Sequence, residues 1–271
     1  MQIYTHTLPG GAQLIGYLRD RTVEMPAFNT RPAILILPGG GYAWCSRREA
    51  DPVAMQFLQA GYNVFTLYYT CRSDETVPAL RWQPLIDAAG AILHIRRNAE
   101  QFGTDPAKIA ICGFSAGGHL AASTAILWDA EPVQTALGIH GTEARPDAVV
   151  LGYPVITAGE YAHRGSFVQL SGSEDRAEHQ RFGLEGKITP DTPPVFVWHT
   201  MEDDTVPVEN TLLLLAALRK NHVPCEAHLF EKGVHGTSIS TAEVDAASAH
   251  RAHWVQLAVE WLNDTFDFHL G

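Results

Sequence analysis

Apolar runs of strand length recur along this chain, with helix-length amphipathic stretches between them. That alternation limits the possible folds more than any other feature. Residues 33–37 (AILIL) are continuously apolar, and 62–69 (YNVFTLYY), 108–112 (KIAIC), 147–151 (DAVVL) and 195–198 (VFVW) are nearly so. A strand wetted on one face would alternate, so near-continuous apolarity marks strands covered on both faces, as in a parallel sheet. Helical patterns fill the gaps. Residues 48–60 carry Pro52 near the start and Gly61 just past the end, the asymmetry that helix termini favour. Residues 83–101 place Leu85, Ala88, Ala89, Ile92 and Ile95 at helical spacing, with Arg96 and Arg97 towards the C-terminal end, where the helix dipole favours cations. Gly103-Thr104-Asp105-Pro106 then reads as a turn, and further helices are expected over 116–128, 208–220 and 244–263. A Gly10-Gly11 turn before the alternating stretch Gln13 to Leu18 suggests an edge hairpin. Strands alternating with helices predict an α/β fold, a doubly wound, mostly parallel sheet with helices on both faces.

At 271 residues the chain suits one such domain, 1–271, with room for a small insertion. Residues 155–194 break the alternation. They are polar, rich in Gly, Ser and charges, and end in Thr189-Pro190-Asp191-Thr192-Pro193-Pro194. That is long for a plain connection, and it predicts a small cap or lid before the strand at 195–198.

The formal charge of −11, from 19 basic and 30 acidic residues, repels phosphate backbones and anionic membrane surfaces. Nucleic-acid and membrane partners are therefore disfavoured. No apolar run approaches the length of a membrane helix. The start, MQIYTHTLPGGAQLIGYL, lacks the basic and long apolar regions of a signal peptide. Cys45, Cys71, Cys112 and Cys225 contain no CxxC pair and lie far apart in sequence, which argues against a disulfide framework. Together these features predict a cytoplasmic protein. An exposed strand edge near the N-terminus would permit a homodimer.

Gly113-Phe114-Ser115-Ala116-Gly117 matches G-x-S-x-G between the run KIAIC and an alanine-rich helix. A serine that merely caps the helix would stand in the same place. The spacing favours a nucleophile on a strained turn, where neighbours two residues away must be nearly without side chains. Pro38-Gly39-Gly40-Gly41-Tyr42 directly follows AILIL, and a glycine run at a strand end lets backbone N–H groups approach a ligand. Both motifs fall at C-terminal strand ends, the edge where α/β sheets bind ligands.

Such a serine needs an acid and then a histidine later in the chain. Among the 13 histidines, His235 is flanked by Gly233 and Gly236 just after the strand-like stretch 228–230. His119 stands one turn into the helix after Ser115 and is expected to pack behind the turn. His6, His94, His163, His179, His222, His228, His250, His253 and His269 have no comparable setting, and His250 with His253 lacks a third metal ligand. The acid candidates are the adjacent Glu202, Asp203 and Asp204, after the strand at 195–198. Physical reasoning does not choose among these three.

In this order, PGGGY, GFSAGGHLAAS, WHTMEDDTVPVENT and FEKGVHG resemble the α/β-hydrolase superfamily. More narrowly they resemble its bacterial acetylesterase and acetylxylan-esterase-like (BD-FAE-like) branch, over residues 30 to 262. The resemblance implies Ser115 as nucleophile, His235 as general base and Asp203 as orienting acid, the last because the family's acid stands four residues before the proline of the V-P pair, here Pro207. Asp204 is the neighbouring alternative. It implies Gly40, Gly41 and Ala116 as oxyanion donors. One departure is that the family's glycine motif often begins with histidine, where this chain has Pro38. The implied activity is a serine carboxylesterase for short acyl esters, acetyl groups on sugars or xylan fragments among them, with a small-molecule ester as partner and no cofactor or metal. A serine peptidase or thioesterase of the same superfamily, or a non-catalytic binding protein of this fold, are the alternatives. Trp44, Arg72 and Tyr153 are candidate pocket walls.

Overall fold

Eight strands form one sheet in the computed structural model, which describes residues 1–270. In chain order they are β1 (Gln2–Thr7), β2 (Gln13–Leu18), β3 (Arg31–Leu37), β4 (Asn63–Tyr68), β5 (Thr104–Phe114), β6 (Ala148–Gly152), β7 (Val195–Thr200) and β8 (Cys225–Phe230). Their spatial order is β1-β2-β4-β3-β5-β6-β7-β8. The β1–β2 hairpin and the β2–β4 pair are antiparallel, and every later pair is parallel. The helices are α1 (Asp51–Gln59), α2 (Gln83–Arg97), α3 (Ala99–Phe102), α4 (Ala116–Ile126), α5 (Glu131–Leu137), α6 (Arg164–Ser171), α7 (Arg176–His179), α8 (Glu209–Lys220) and α9 (Ala249–Phe266). This is the doubly wound, mostly parallel sheet that the apolar runs predict.

The period of two along a strand divides the core into two layers. On one face Ala33, Leu35, Leu37, Ile109 and Ile111 pack with residues of α2, α4, α5 and α8. On the other, Ile34, Ile36, Ala110, Cys112 and Phe114 pack with α1 and α9. Both sets are fully buried, so apolar residues are needed at consecutive positions. Trp254 of α9 stacks on Trp198 of β7 with ring centres 5.1 Å apart, and its Nε1–H donates to Ser238 O at 2.9 Å.

Four local features differ from expectation. The turn predicted at 103–106 lies partly inside β5. Thr104 already pairs with Arg31, and Ile109 pairs with Ala33. The intervening residues bulge out, with Asp105 Oδ1 accepting from Ala107 N–H at 2.9 Å. The helix predicted over 83–101 breaks at Asn98, whose side-chain amide donates to His94 O at 2.8 Å. The last helix starts at Ala249 rather than 244, because Asp245 at φ 54° ends a 3₁₀ turn and Ser248 caps the helix proper. Helix α5 was not predicted, although Pro132 at its start and left-handed Gly138 at its end mark it.

Residues 155–194 link β6 to β7 and carry α6 and α7. Val155, Ile156, Phe167, Leu170 and Leu184 join the main core layer. The side chain of Asn210 fastens the start of this segment. Its Oδ1 accepts from Ile156 N–H and Thr157 N–H at 2.9 and 3.0 Å, and its Nδ2 donates to Tyr161 O at 2.9 Å.

Candidate active site

Ser115 joins β5 to α4 at φ 54°, ψ −120°, a backbone region that costs an L-residue on the order of 1–3 kcal/mol. Packing enforces it. A Cβ on Gly113 would meet Gly117 O at 2.1 Å, and one on Gly117 would meet Leu37 O at 2.2 Å, so the turn closes only with glycine at both positions. Ser115 N–H donates to Gly152 O at 3.0 Å, and Ser115 O accepts from His119 N–H and Val155 N–H at 3.0 and 3.1 Å. The turn is thereby tied to β6 and to the segment that follows it.

The loop after β8 brings His235 over the sheet edge. His235 Nε2 lies 2.9 Å from Ser115 Oγ, and Nδ1 lies 2.7 Å from Asp203 Oδ2. An ionised carboxylate only accepts, so Nδ1 carries the ring hydrogen and Nε2 is free to accept from the serine hydroxyl. Asp203 Oδ1 accepts from Thr205 N–H at 3.1 Å and Val206 N–H at 2.9 Å. Its side chain is fully shielded from solvent. Burial pushes the carboxyl up, but hydrogen bonds from His199 and His235, the positive character of His235 and the Val206 amide outweigh it and hold Asp203 well below the usual carboxylate range. Of the three adjacent acids only Asp203 reaches His235. Asp204 is exposed and accepts from Thr205 Oγ1 at 3.4 Å. Glu202 is exposed and accepts from Gly233 N–H at 3.1 Å.

The glycine loop faces the same edge. Gly40 and Gly41 have φ of 127° and 65°, and a Cβ on Gly40 would meet Trp44 O at 2.1 Å. The N–H groups of Gly40, Gly41 and Ala116 have no hydrogen-bond partner among the described residues. The carbonyl of Pro38, at the start of the loop, accepts from Tyr69 Oη–H at 2.6 Å. Glu49 takes the other supporting position. Its Oε2 accepts from Gly39 N–H and its Oε1 from Tyr153 Oη–H, both at 2.7 Å. Tyr153 Oη also accepts from Ser238 N–H at 3.0 Å, and the Tyr153 ring stands edge-on to His235 with centres 5.0 Å apart. Burial raises the Glu49 carboxyl, opposed in part by these two donors.

The glycine loop, the serine turn and the acid loop lie within residues 23–218, the part of the chain that matches the BD-FAE family model. The chain belongs to the BD-FAE family. It is 38% identical to endo-1,4-beta-xylanase B of Butyrivibrio fibrisolvens over 85% of its own length and 35% of the xylanase. It is 27% identical to the acetylxylan esterase of Xylanibacter ruminicola over 86% of its length and 45% of that protein. The chain thus spans less than half the length of either of these curated relatives. Among solved structures, the acetyl ester-xyloside bifunctional hydrolase from Caldicellulosiruptor lactoaceticus superposes with a TM-score of 0.79 at 32% identity, over 96% of this chain and 90% of that one. Carboxylesterase Cest-2923 from Lactobacillus plantarum WCFS1 gives 0.87 at 27% identity over the full length of both. The fold of this BD-FAE member is that of the α/β hydrolases.

Other residues take positions that the sequence does not announce. His119 does sit behind the turn. Its Nδ1 accepts from Tyr42 Oη–H at 2.7 Å and its Nε2–H donates to Phe182 O at 2.8 Å, while burial pushes its pKa down to about 4. His199 Nε2 lies 2.9 Å from Val206 O and 3.3 Å from Asp203 Oδ2. Both are acceptors, so this nitrogen carries the hydrogen, and Nδ1 accepts from Thr211 Oγ1 at 2.8 Å. Sequence reasoning missed His199 and Glu49. The signal for His199 was its place at the end of β7, four residues before Asp203; for Glu49 there was no local signal. Of the candidate walls, Tyr153 touches His235. Trp44 is exposed, and Arg72 Nη1–H donates to Gln169 Oε1 at 3.0 Å, tying the 155–194 segment down. Cys45 and Cys71, remote in sequence, place their sulfurs 3.8 Å apart as free thiols.

Proposed function

We propose that this chain is a serine carboxylesterase that removes short acyl groups, acetyl foremost, from sugar or xylan-fragment alcohols. The observation that carries the reading is the unbroken hydrogen-bond chain Ser115–His235–Asp203 beside three backbone N–H groups with no partner among the described residues. His235 takes the proton from Ser115 Oγ as that oxygen attacks the ester carbonyl. The negative charge that develops on the carbonyl oxygen is received by the N–H groups of Gly40, Gly41 and Ala116. His235 returns the proton to the departing alcohol, and a water activated by the same imidazole then hydrolyses the acyl-serine. Asp203 stays ionised and stabilises the imidazolium that forms. The 155–194 segment acts as a cap over this edge. The acyl and alcohol preferences rest on the relatives described as an acetylxylan esterase and an acetyl ester-xyloside hydrolase. Hydrolysis of p-nitrophenyl acetate by the purified protein tests the reading. Ser115→Ala should lower kcat by about 10⁴-fold or more; equal rates in the variant and the parent would refute it.

A further inference from the structure

His163 stands at the N-terminal end of α6, in the segment between β6 and β7, and the sequence gives it no role. The fold carries it to the edge of the glycine loop. Its Cε1, the ring carbon between the two nitrogens, is 3.8 Å from where a Cβ on Gly41 would sit. It is also near enough to His235 and Asp203 for both to act on its charge. The ring is fixed on one side, where His163 Nδ1 lies 2.8 Å from Ser166 Oγ.

Ser166 is completely buried, and its hydroxyl has no other hydrogen-bond partner among the described residues. A buried hydroxyl hydrogen needs an acceptor, and Nδ1 is the available one. Ser166 therefore donates and His163 Nδ1 accepts. Burial and the nearby His235 both disfavour the charged ring, so His163 is neutral with its hydrogen on Nε2. That N–H has no partner among the described residues. The ring thus stands beside the Gly41 backbone and within electrostatic reach of His235. The alcohol oxygen must come close to His235 to receive its proton, which brings the leaving alcohol into the neighbourhood of the His163 ring.

We propose that His163 Nε2–H is a substrate contact that donates to a hydroxyl or ring oxygen of the leaving alcohol, so that the site selects esters of hydroxylated, sugar-like alcohols. This rests on the serine-esterase reading above. An alcohol lacking such an oxygen leaves the imidazole N–H unpaired in a half-buried site, which is how polar sites reject apolar analogues.

The test compares kcat/KM on an acetylated methyl xyloside with kcat/KM on ethyl acetate, together with Tm. It covers the parent, His163→Ala, His163→Gln, Ser166→Ala and Ser115→Ala. His163→Ala should lower the xyloside-to-ethyl-acetate ratio about 10-fold, mainly through KM for the xyloside. Ser166→Ala, which frees the tautomer, should lower it about 3-fold. His163→Gln should restore most of it, because its amide can donate. An unchanged ratio in His163→Ala overturns the proposal. If that variant fails to fold, an unchanged ratio in Ser166→Ala does so in its place. A parent no more active than Ser115→Ala on either ester removes the esterase reading and this one with it. An active parent with an unchanged ratio removes only this one.

Discussion

Asp203 and Glu49 are buried carboxylates at the same edge of the sheet, in the loop after β7 and in the stretch between β3 and α1. Their proton affinities move in opposite directions. Asp203 receives hydrogen from Thr205 N, Val206 N and His235 Nδ1, with His199 Nε2 at 3.3 Å. Glu49 receives only Gly39 N and Tyr153 Oη. Burial favours the neutral acid at both, and the number of donors decides the outcome. The acid loop is built to keep a charge, whereas the glycine-loop support holds geometry and tolerates a proton.

The largest effect is expected at the charge itself. Asp203→Asn presents an amide to His235 Nδ1 and favours the wrong tautomer, which should lower kcat by about 10³–10⁴-fold. Asp204→Asn, on an exposed side chain, should change kcat by about 2-fold or less. Steady-state kinetics on p-nitrophenyl acetate decides between them. Equal, mild losses in both would mean that neither is the orienting acid. A smaller effect is expected at the support. Glu49→Gln keeps one acceptor but loses the second, so Gly39 N–H or Tyr153 Oη–H loses its bond. A slight shift of the glycine loop should lower kcat by about 10-fold, within the roughly 100-fold that a misplacement of about 1 Å can cost. A kcat loss as large as that of Asp203→Asn would make the two carboxylates equivalent and end the comparison.

These two sites also differ in how far the sequence reveals them. The sheet and the serine turn were legible because their causes are local. Two-sided burial demands consecutive apolar residues, and a turn that brings Gly117 against Leu37 O demands glycine at a fixed spacing. His235 and the acid loop were legible in chain order, but the choice of Asp203 over Asp204 came from the family resemblance. Physically it depends on which carboxylate faces the Thr205 and Val206 amides, and neighbouring acids do not encode that. Glu49 was invisible, since its partners Gly39 and Tyr153 lie 10 and 104 residues away. His163 was unreadable for the same reason: its setting is made by Gly41, which the fold, not the local sequence, brings near.

Removing one partner of Glu49 separates its structural from its kinetic role. Tyr153→Phe deletes the donor to Oε1 and the acceptor for Ser238 N–H, while the ring can still pack edge-on to His235. It should cost on the order of 1–3 kcal/mol of stability, as expected when buried groups lose their partners, with a smaller loss of kcat than Glu49→Gln. Urea unfolding alongside kinetics checks both. A kcat loss exceeding that of Glu49→Gln would place the tyrosine, rather than the glutamate, in control of the loop.

The smallest effect is the most specific, because its sign differs between the two carboxylates. Asp203 has a depressed pKa in the fold, so its contribution is fully present above its unfolded value near 3.8 and is lost as pH falls through the lower folded value. Glu49 has a raised pKa, so the folded protein holds its proton more tightly than the unfolded chain does. Its stabilising contribution is present below its ordinary value of 4.5 and declines as pH rises through the higher folded value. Tm measured against pH should therefore change differently in the two variants. Asp203→Asn should flatten the steep fall below about pH 4, and Glu49→Gln should flatten a shallower decline that begins above about pH 4.5. If both variants flattened the same limb, one of the two carboxylates would carry the opposite shift, and the donor count would no longer explain which acid keeps its charge.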